Sequence, residues 1–379
     1  MGERVPTHEA LRAVMRSVSD EGGSATHRGE QRHREGRGLD PLVDPKGFDV
    51  IRHSRNRFEK TGEHYVLTVA QAILKETRFD TTGSMGNNVQ LAFEALPRSY
   101  HLLKEISNAP LGRYDLQIIN SIFGDVQDSY VLCRSQAEMD EKIAEQLRLM
   151  VPQSAGGDSD EDPQYGLFGA AYLTAASIVK VGLKTYDFTV TDARGRSRLD
   201  SETLVRVFGE NVFDRVKDNG YQIKKGDLPT TKDVVRDLLK IAHAFLIQVG
   251  SESQVNRFWI DIYGRDRVIV IPDVRYLPEV ESAIVGLTEG TVNLQSIEDF
   301  LVKEAQISAT VANTIRRAVA GIPIGAQAAL PNFMKIPFKG AKFANKTDAW
   351  PIGYSESGEP TALSKAKVPE KEKGKKIWL

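Results

Sequence analysis

The chain has 379 residues, 41% hydrophobic and 27% charged, the balance of a soluble globular protein with one large domain plus tails or two small domains. A formal net charge of -1 gives no general affinity for nucleic acid or anionic membrane, and no apolar run approaches the length of a bilayer span. The single cysteine, Cys133, excludes an intramolecular disulfide, and the charged N-terminus has no secretory apolar region, so the cytoplasm is the expected compartment.

Residues 1–46 are rich in Arg, Glu, Gly and Ser. Leu11, Val14 and Met15 predict a short helix over 7–19. The stretch 21–38, with His27 and His33, has almost no apolar residue and reads as disordered. Residues 65–79 read as the first strand of a sheet, leading into Asp80. Its first half is apolar, but Lys75, Glu76, Thr77 and Arg78 break the pattern of a strand covered on both faces, and 71–76 also fits a helix.

Beyond Asp80, Val89, Phe93 and Leu96 lie on a helix, 116–123 is a strand closed by Gly124-Asp125, and 130–133 is an edge strand. The acidic loop 156–163 precedes a helix of small apolar residues over 165–181, and the strand 184–191 ends at Asp192. An amphipathic helix over 199–216, a helix over 230–242, strands at 244–249 and 267–271, and helices at 278–290 and 299–320 follow. After Pro331 the chain is polar and basic, ending in Trp378-Leu379, either a solvated tail or a short linear motif. Strands alternating with helices predict an α/β fold with a mostly parallel sheet, in which ligands bind at the carboxyl ends of strands. Asp80 and Asp192 both occupy that place.

The stretch Phe79-Asp80-Thr81-Thr82-Gly83-Ser84-Met85-Gly86 carries a carboxylate and two hydroxyls at every second residue, on one side of an extended chain. Gly83 and Gly86 permit a sharp turn. Three hard oxygen donors suit a small divalent cation such as Mg²⁺. Three other readings compete. A polar turn with Ser84 as a helix N-cap needs only common residues. An aspartic-protease loop would have an extra Thr and no second copy. The phosphorylated aspartate of ion pumps would lack its Lys and any membrane spans.

Asp80-x-Thr82-Gly83-Ser84-Met85 resembles the signature of von Willebrand factor A (vWA) domains, where it forms most of a metal-ion-dependent adhesion site (MIDAS). That family adds a Thr on a second loop, usually after Gly-Gly, and an Asp ending a later strand. Gly156-Gly157-Asp158-Ser159-Asp160-Glu161-Asp162 and the run from Tyr186 to Asp192 stand in the matching order. The resemblance implies a doubly wound, Rossmann-like, mostly parallel sheet with helices on both faces over 47–300. A charged segment 1–46 would precede it; a helical extension 301–330 and a flexible basic tail 331–379 would follow.

The resemblance also implies a metal set of Asp80, Thr82, Ser84 and Asp192. Asp158 stands where the Thr is expected, so Ser159, or a carboxylate of Asp158, Asp160 or Glu161, takes its role. The implied cofactor is Mg²⁺, with Mn²⁺ or Ca²⁺ as alternatives. The implied function is a non-enzymatic, metal-dependent protein-interaction module that binds an acidic residue of its partner. Intracellular bacterial members of the family often work beside AAA+ ATPases of the MoxR kind, and this chain has no phosphate-binding Gly-x-x-x-x-Gly-Lys-Ser/Thr loop of its own. The alternative is a metal-dependent phosphoester hydrolase using the same acidic loops, for which several carboxylates and a general base are needed.

Overall fold

The structure, a computed structural model, describes residues 8–20, 24–47, 57–69, 71–86, 88–153, 160–345 and 348. Helices α1 (His8–Asp20) and α2 (His27–Arg34) come first. The stretch expected to be disordered therefore contains a helix. Gly29 is buried against the turn at 148–150, where its N–H bonds the Arg148 carbonyl at 2.8 Å and a Cβ would collide with the Leu149 and Met150 carbonyls. Leu11, Ala25 and Val43 are 0–1% exposed, so a few apolar anchors hold a mostly polar segment to the core.

The segment 65–79 is not one strand but parts of two. Strand β1 (Arg57–Thr61) pairs antiparallel with β2 (His64–Val69) in a small separate sheet, and β3 (Ala72–Asp80) enters the central one. The chain continues through α3 (Asn88–Glu94), α4 (Leu96–Tyr100), β4 (Asp115–Phe123), β5 (Leu132–Arg134), α5 (Lys142–Leu147) and β6 (Asp160–Glu161). Next come α6 (Pro163–Tyr172), α7 (Ser177–Lys180), β7 (Thr185–Thr191), β8 (Arg194–Gly195), α8 (Ser201–Phe208), α9 (Val212–Asp218) and α10 (Thr231–Ile241). The last elements are β9 (Ala242–Val249), α11 (Ser253–Tyr263), β10 (Val268–Ile271), α12 (Leu277–Glu289), α13 (Ile297–Lys303), α14 (Ala309–Ala318) and β11 (Lys342–Phe343).

Three helices expected to be continuous are broken. The one over 165–181 divides into α6 and α7 at 173–176. Gly209, at φ 90°, separates α8 from α9, and the turn around Gln306 separates α13 from α14. Residues beyond Pro331 also pack: Phe333 and Ile336 are buried, their carbonyls accept from Arg113, and β11 joins β2.

The central sheet has the order β10-β9-β7-β3-β4-β5, parallel except for the edge strand β5. From β3 the chain winds outward to β4 and β5, then returns to the other side of β3 for β7, β9 and β10. That reversal makes the fold doubly wound and puts a crevice beyond the carboxyl ends of β3 and β7. Apolar clusters cover both faces: Phe79, Phe188 and Ile247 meet α12 on one, and Leu246 and Phe123 join α6, α10 and α11 on the other.

The polar run of β3 lies in this interior, with all nine residues buried. Its side chains alternate between faces, and each charge meets a partner brought from elsewhere in the sequence. On one face Lys75 lies 2.6 Å from Glu281 of α12, which also accepts from Thr77 and Ser99. On the other, Arg134 binds Glu76 through two bonds and Arg78 spans Glu76, Asp187 and Thr189. Burial opposes the charge on Glu76, but Arg134 and Arg78 hold its carboxyl down at about 2. Gly166 of α6 passes over this layer, where a Cβ would run into the Arg78 side chain.

At the opposite, amino end of the sheet, Glu289 closes α12 and accepts from Tyr186 at 2.7 Å and Tyr114 at 3.2 Å. Burial pushes its carboxyl up to about 7, although both tyrosines pull the other way. A carboxyl raised in the folded state stabilises fully below its unfolded value and loses that contribution as pH climbs through the folded one. Glu289→Gln is therefore expected to flatten the decline of stability between pH 5 and 8, by on the order of 3 kcal/mol at most. Urea unfolding of both proteins at the two pH values measures it; identical slopes would refute the assignment.

Candidate metal centre

Asp80 is the last residue of β3 and is 0% exposed. Its Oδ1 accepts from the Thr82 N–H at 2.9 Å and the Thr82 hydroxyl at 2.6 Å; its Oδ2 accepts from the Thr191 hydroxyl at 2.6 Å. Burial pushes the Asp80 carboxyl up to about 6, against the pull of these hydrogen bonds. The chain then turns through Gly83–Met85, with Gly86 at φ 48°, and brings the exposed Ser84 back over the site. Ser84 Oγ donates to Asp192 Oδ1 at 2.9 Å, across 108 residues, and lies 3.4 Å from Thr82 Oγ1. Four expected residues, Asp80, Thr82, Ser84 and Asp192, thus come together at the crevice.

The arrangement has a chemical logic. Each hydroxyl directs its proton to a carboxylate, Thr82 to Asp80 and Ser84 to Asp192, so their remaining lone pairs are free to face a cation. Adjacent ligands of an octahedral Mg²⁺ stand roughly 3 Å apart, and the two hydroxyl oxygens are near that spacing already. Among the described residues, no three His, Cys, Asp or Glu side chains are gathered closely enough to hold a metal by themselves. The donor set is mixed carboxylate and hydroxyl, the hard-oxygen type that magnesium, manganese and calcium take.

Asp158 and Ser159, the expected second-loop residues, lie outside the described residues. The loop re-enters at β6, which pairs in parallel with β8 and opposes Asp160 to Arg194 and Glu161 to Gly195. Glu161 is 4% exposed, and its Oε2 has no hydrogen-bond partner. Burial and the neighbouring Asp80 raise its carboxyl to about 8, opposed by the Thr82 hydroxyl. Two buried acids therefore stand beside each other, and neither is joined to a Lys or Arg by an ion pair among the described residues. A cation fits there: Asp80, Thr82, Ser84 and Asp192 would hold it, and it would supply positive charge and open coordination positions at the rim.

Sequence reasoning missed the supports of this site. Thr191 precedes Asp192 and both donates to Asp80 and accepts from the Ala193 N–H at 3.0 Å. Its place two residues along β7 from Thr189 was a readable signal, since alternate residues share a face. Trp259 holds the Ala193 carbonyl through its indole N–H at 2.9 Å. Arg196 joins Asp125 at 3.0 Å to Asp162 at 3.1 Å, tying the loop after β4 to the acidic loop. No local pattern announces either contact.

Fold and site together define a doubly wound α/β protein with a carboxylate–hydroxyl centre at its switch point. No protein-family model matches the chain, and no curated protein matches it. Among solved structures, proximal thread matrix protein 1 from the mussel byssus aligns at 13% identity and a TM-score of 0.36, covering 59% of this chain and 47% of that one. The same protein with a zinc-occupied MIDAS motif aligns at 14% identity and 0.33, over 57% and 48%. The pilus adhesin SpaC from Lactobacillus rhamnosus GG aligns at 12% identity and 0.38, over 61% of this chain and 34% of the adhesin. This chain thus spans about half of the byssus protein and a third of the adhesin.

Proposed function

We propose that this chain is a metal-dependent protein-interaction module of the vWA type, working in the cytoplasm without enzymatic turnover. Its centre takes Mg²⁺, or Mn²⁺ or Ca²⁺, on Asp80, Thr82, Ser84 and Asp192, and an acidic side chain of a partner protein completes the coordination. The observation that carries this reading is the Ser84–Asp192 bond, which closes the Thr82-Gly83-Ser84 corner onto a strand end far along the chain. Ser84 is exposed while Thr82 and Asp80 are buried, so the Ser84 hydroxyl faces outward and the Asp80 charge sits behind it. A partner's acid can then approach the cation without first meeting Asp80.

An AAA+ ATPase of the MoxR kind is the partner class we favour, on the resemblance set out above. A pull-down with immobilised chain is the test. Capture is expected to disappear in EDTA and to return on adding millimolar Mg²⁺. Capture that persists unchanged in EDTA would overturn the reading, and turnover of a generic phosphoester with Mn²⁺, lost in Asp80→Ala, would replace it with a hydrolase.

A further inference from the structure

We propose that Glu161 is itself a direct ligand of the cation, the one residue among Asp158, Ser159, Asp160 and Glu161 that takes the role expected of the acidic loop. The inference rests on the cation reading of the centre. Along β6, Asp160 and Glu161 point to opposite sides. Asp160 and Asp162 are held by Arg194 at 2.7 Å and Arg196 at 3.1 Å. Glu161 is thereby turned the other way, toward Asp80 and Thr82, where no arginine answers it.

The backbone is fixed as firmly as the side chains. The Arg196 N–H bonds the Glu161 carbonyl at 3.2 Å, and Gly195, opposite Glu161, lies so close to Trp259 that a Cβ would come within 2.7 Å of the indole. Asp162 Oδ2 also accepts from the Val126 N–H at 2.7 Å. Such anchoring holds a buried carboxylate in place with one oxygen unused, an arrangement that is costly unless a positive ligand arrives. A cation between Glu161 and the Thr82 hydroxyl satisfies that oxygen. Its charge also tightens the centre on the metal and makes the ion less demanding of a partner's acid.

The test is Mn²⁺ binding to the full chain, read by electron paramagnetic resonance, for wild type, Glu161→Gln, Glu161→Asp and Asp80→Asn. Each protein's unfolding midpoint is measured in EDTA alongside. Glu161→Gln is expected to weaken Mn²⁺ about tenfold or more, because affinity of such sites follows ligand charge. Its midpoint in EDTA should stay close to that of wild type, since without a cation burial already holds the Glu161 carboxyl in its neutral form. Glu161→Asp keeps the charge and is expected to recover part of the affinity. Loss of binding in Asp80→Asn with unchanged affinity in Glu161→Gln would overturn the role of Glu161 and leave the cation site standing. Failure of the wild type to bind Mn²⁺ would overturn the cation site itself.

Discussion

Replacing Arg78 by Met is expected to destabilise the protein by on the order of 3–5 kcal/mol, the cost of breaking a buried ion pair from one side. Arg78 is 0% exposed and spans Glu76, Asp187 and Thr189. Without it Asp187 stays in the interior with no cation paired to it and only the Glu76-bound Arg134 acting from farther off. The loss is a large part of the stability of an ordinary domain. Arg78→Met combined with Asp187→Leu should recover most of it, because two apolar side chains of similar volume replace a pair rather than orphan one member. Urea unfolding of the single and double variants measures both effects. A single variant within about 1 kcal/mol of wild type would show that the layer beneath α6 is hydrated rather than closed.

The second large effect concerns the centre. Saturating Mg²⁺ should raise the unfolding midpoint of the wild type, by the equivalent of about 2.7 kcal/mol when the free ion is a hundredfold above its dissociation constant. In Thr82→Ala that rise should vanish. Thr82 Oγ1 bonds Asp80 and lies 3.4 Å from Ser84 Oγ, so its loss would remove a proposed ligand and leave Asp80 with one donor fewer. The fold should survive, because the Thr82 N–H still bonds Asp80 at 2.9 Å and the substitution removes little core volume. In EDTA the two midpoints should differ by no more than about 1 kcal/mol, the worth of one hydrogen bond. A wild type that shows no shift in millimolar Mg²⁺ does not bind metal at this site.

The centre was more legible than its surroundings. Asp80, Thr82 and Ser84 are neighbours along the chain, and their spacing alone places three oxygens on one side of a turn. Asp192 could be matched to them because it ends a strand of plain alternating pattern, and doubly wound sheets gather such ends in one crevice. Glu161 was one of several acids in a loop whose side-chain directions depend on where Arg194 and Arg196 lie. The helix at His27–Arg34 was hidden for a related reason: it is held by a glycine contact, a backbone bond to Arg148 and the His33–Tyr130 ring contact, none of which leaves an apolar periodicity.

By itself, the sequence determined the alternation of strands and helices, the ends of most of the central strands and the carboxylate–hydroxyl corner. Each depends on residues a few positions apart, whose periodicity and turn chemistry act locally. Only the tertiary structure decided that Lys75, Glu76, Thr77 and Arg78 form a central strand rather than a helix or an exposed turn. Whether a charge can be buried depends on what stands opposite it, and the counter-charges Arg134, Asp187 and Glu281 come from β5, β7 and α12. Once those three flank β3, the cost of desolvating its charges is met by pairing, and the strand can run through the interior to deliver Asp80 to the crevice.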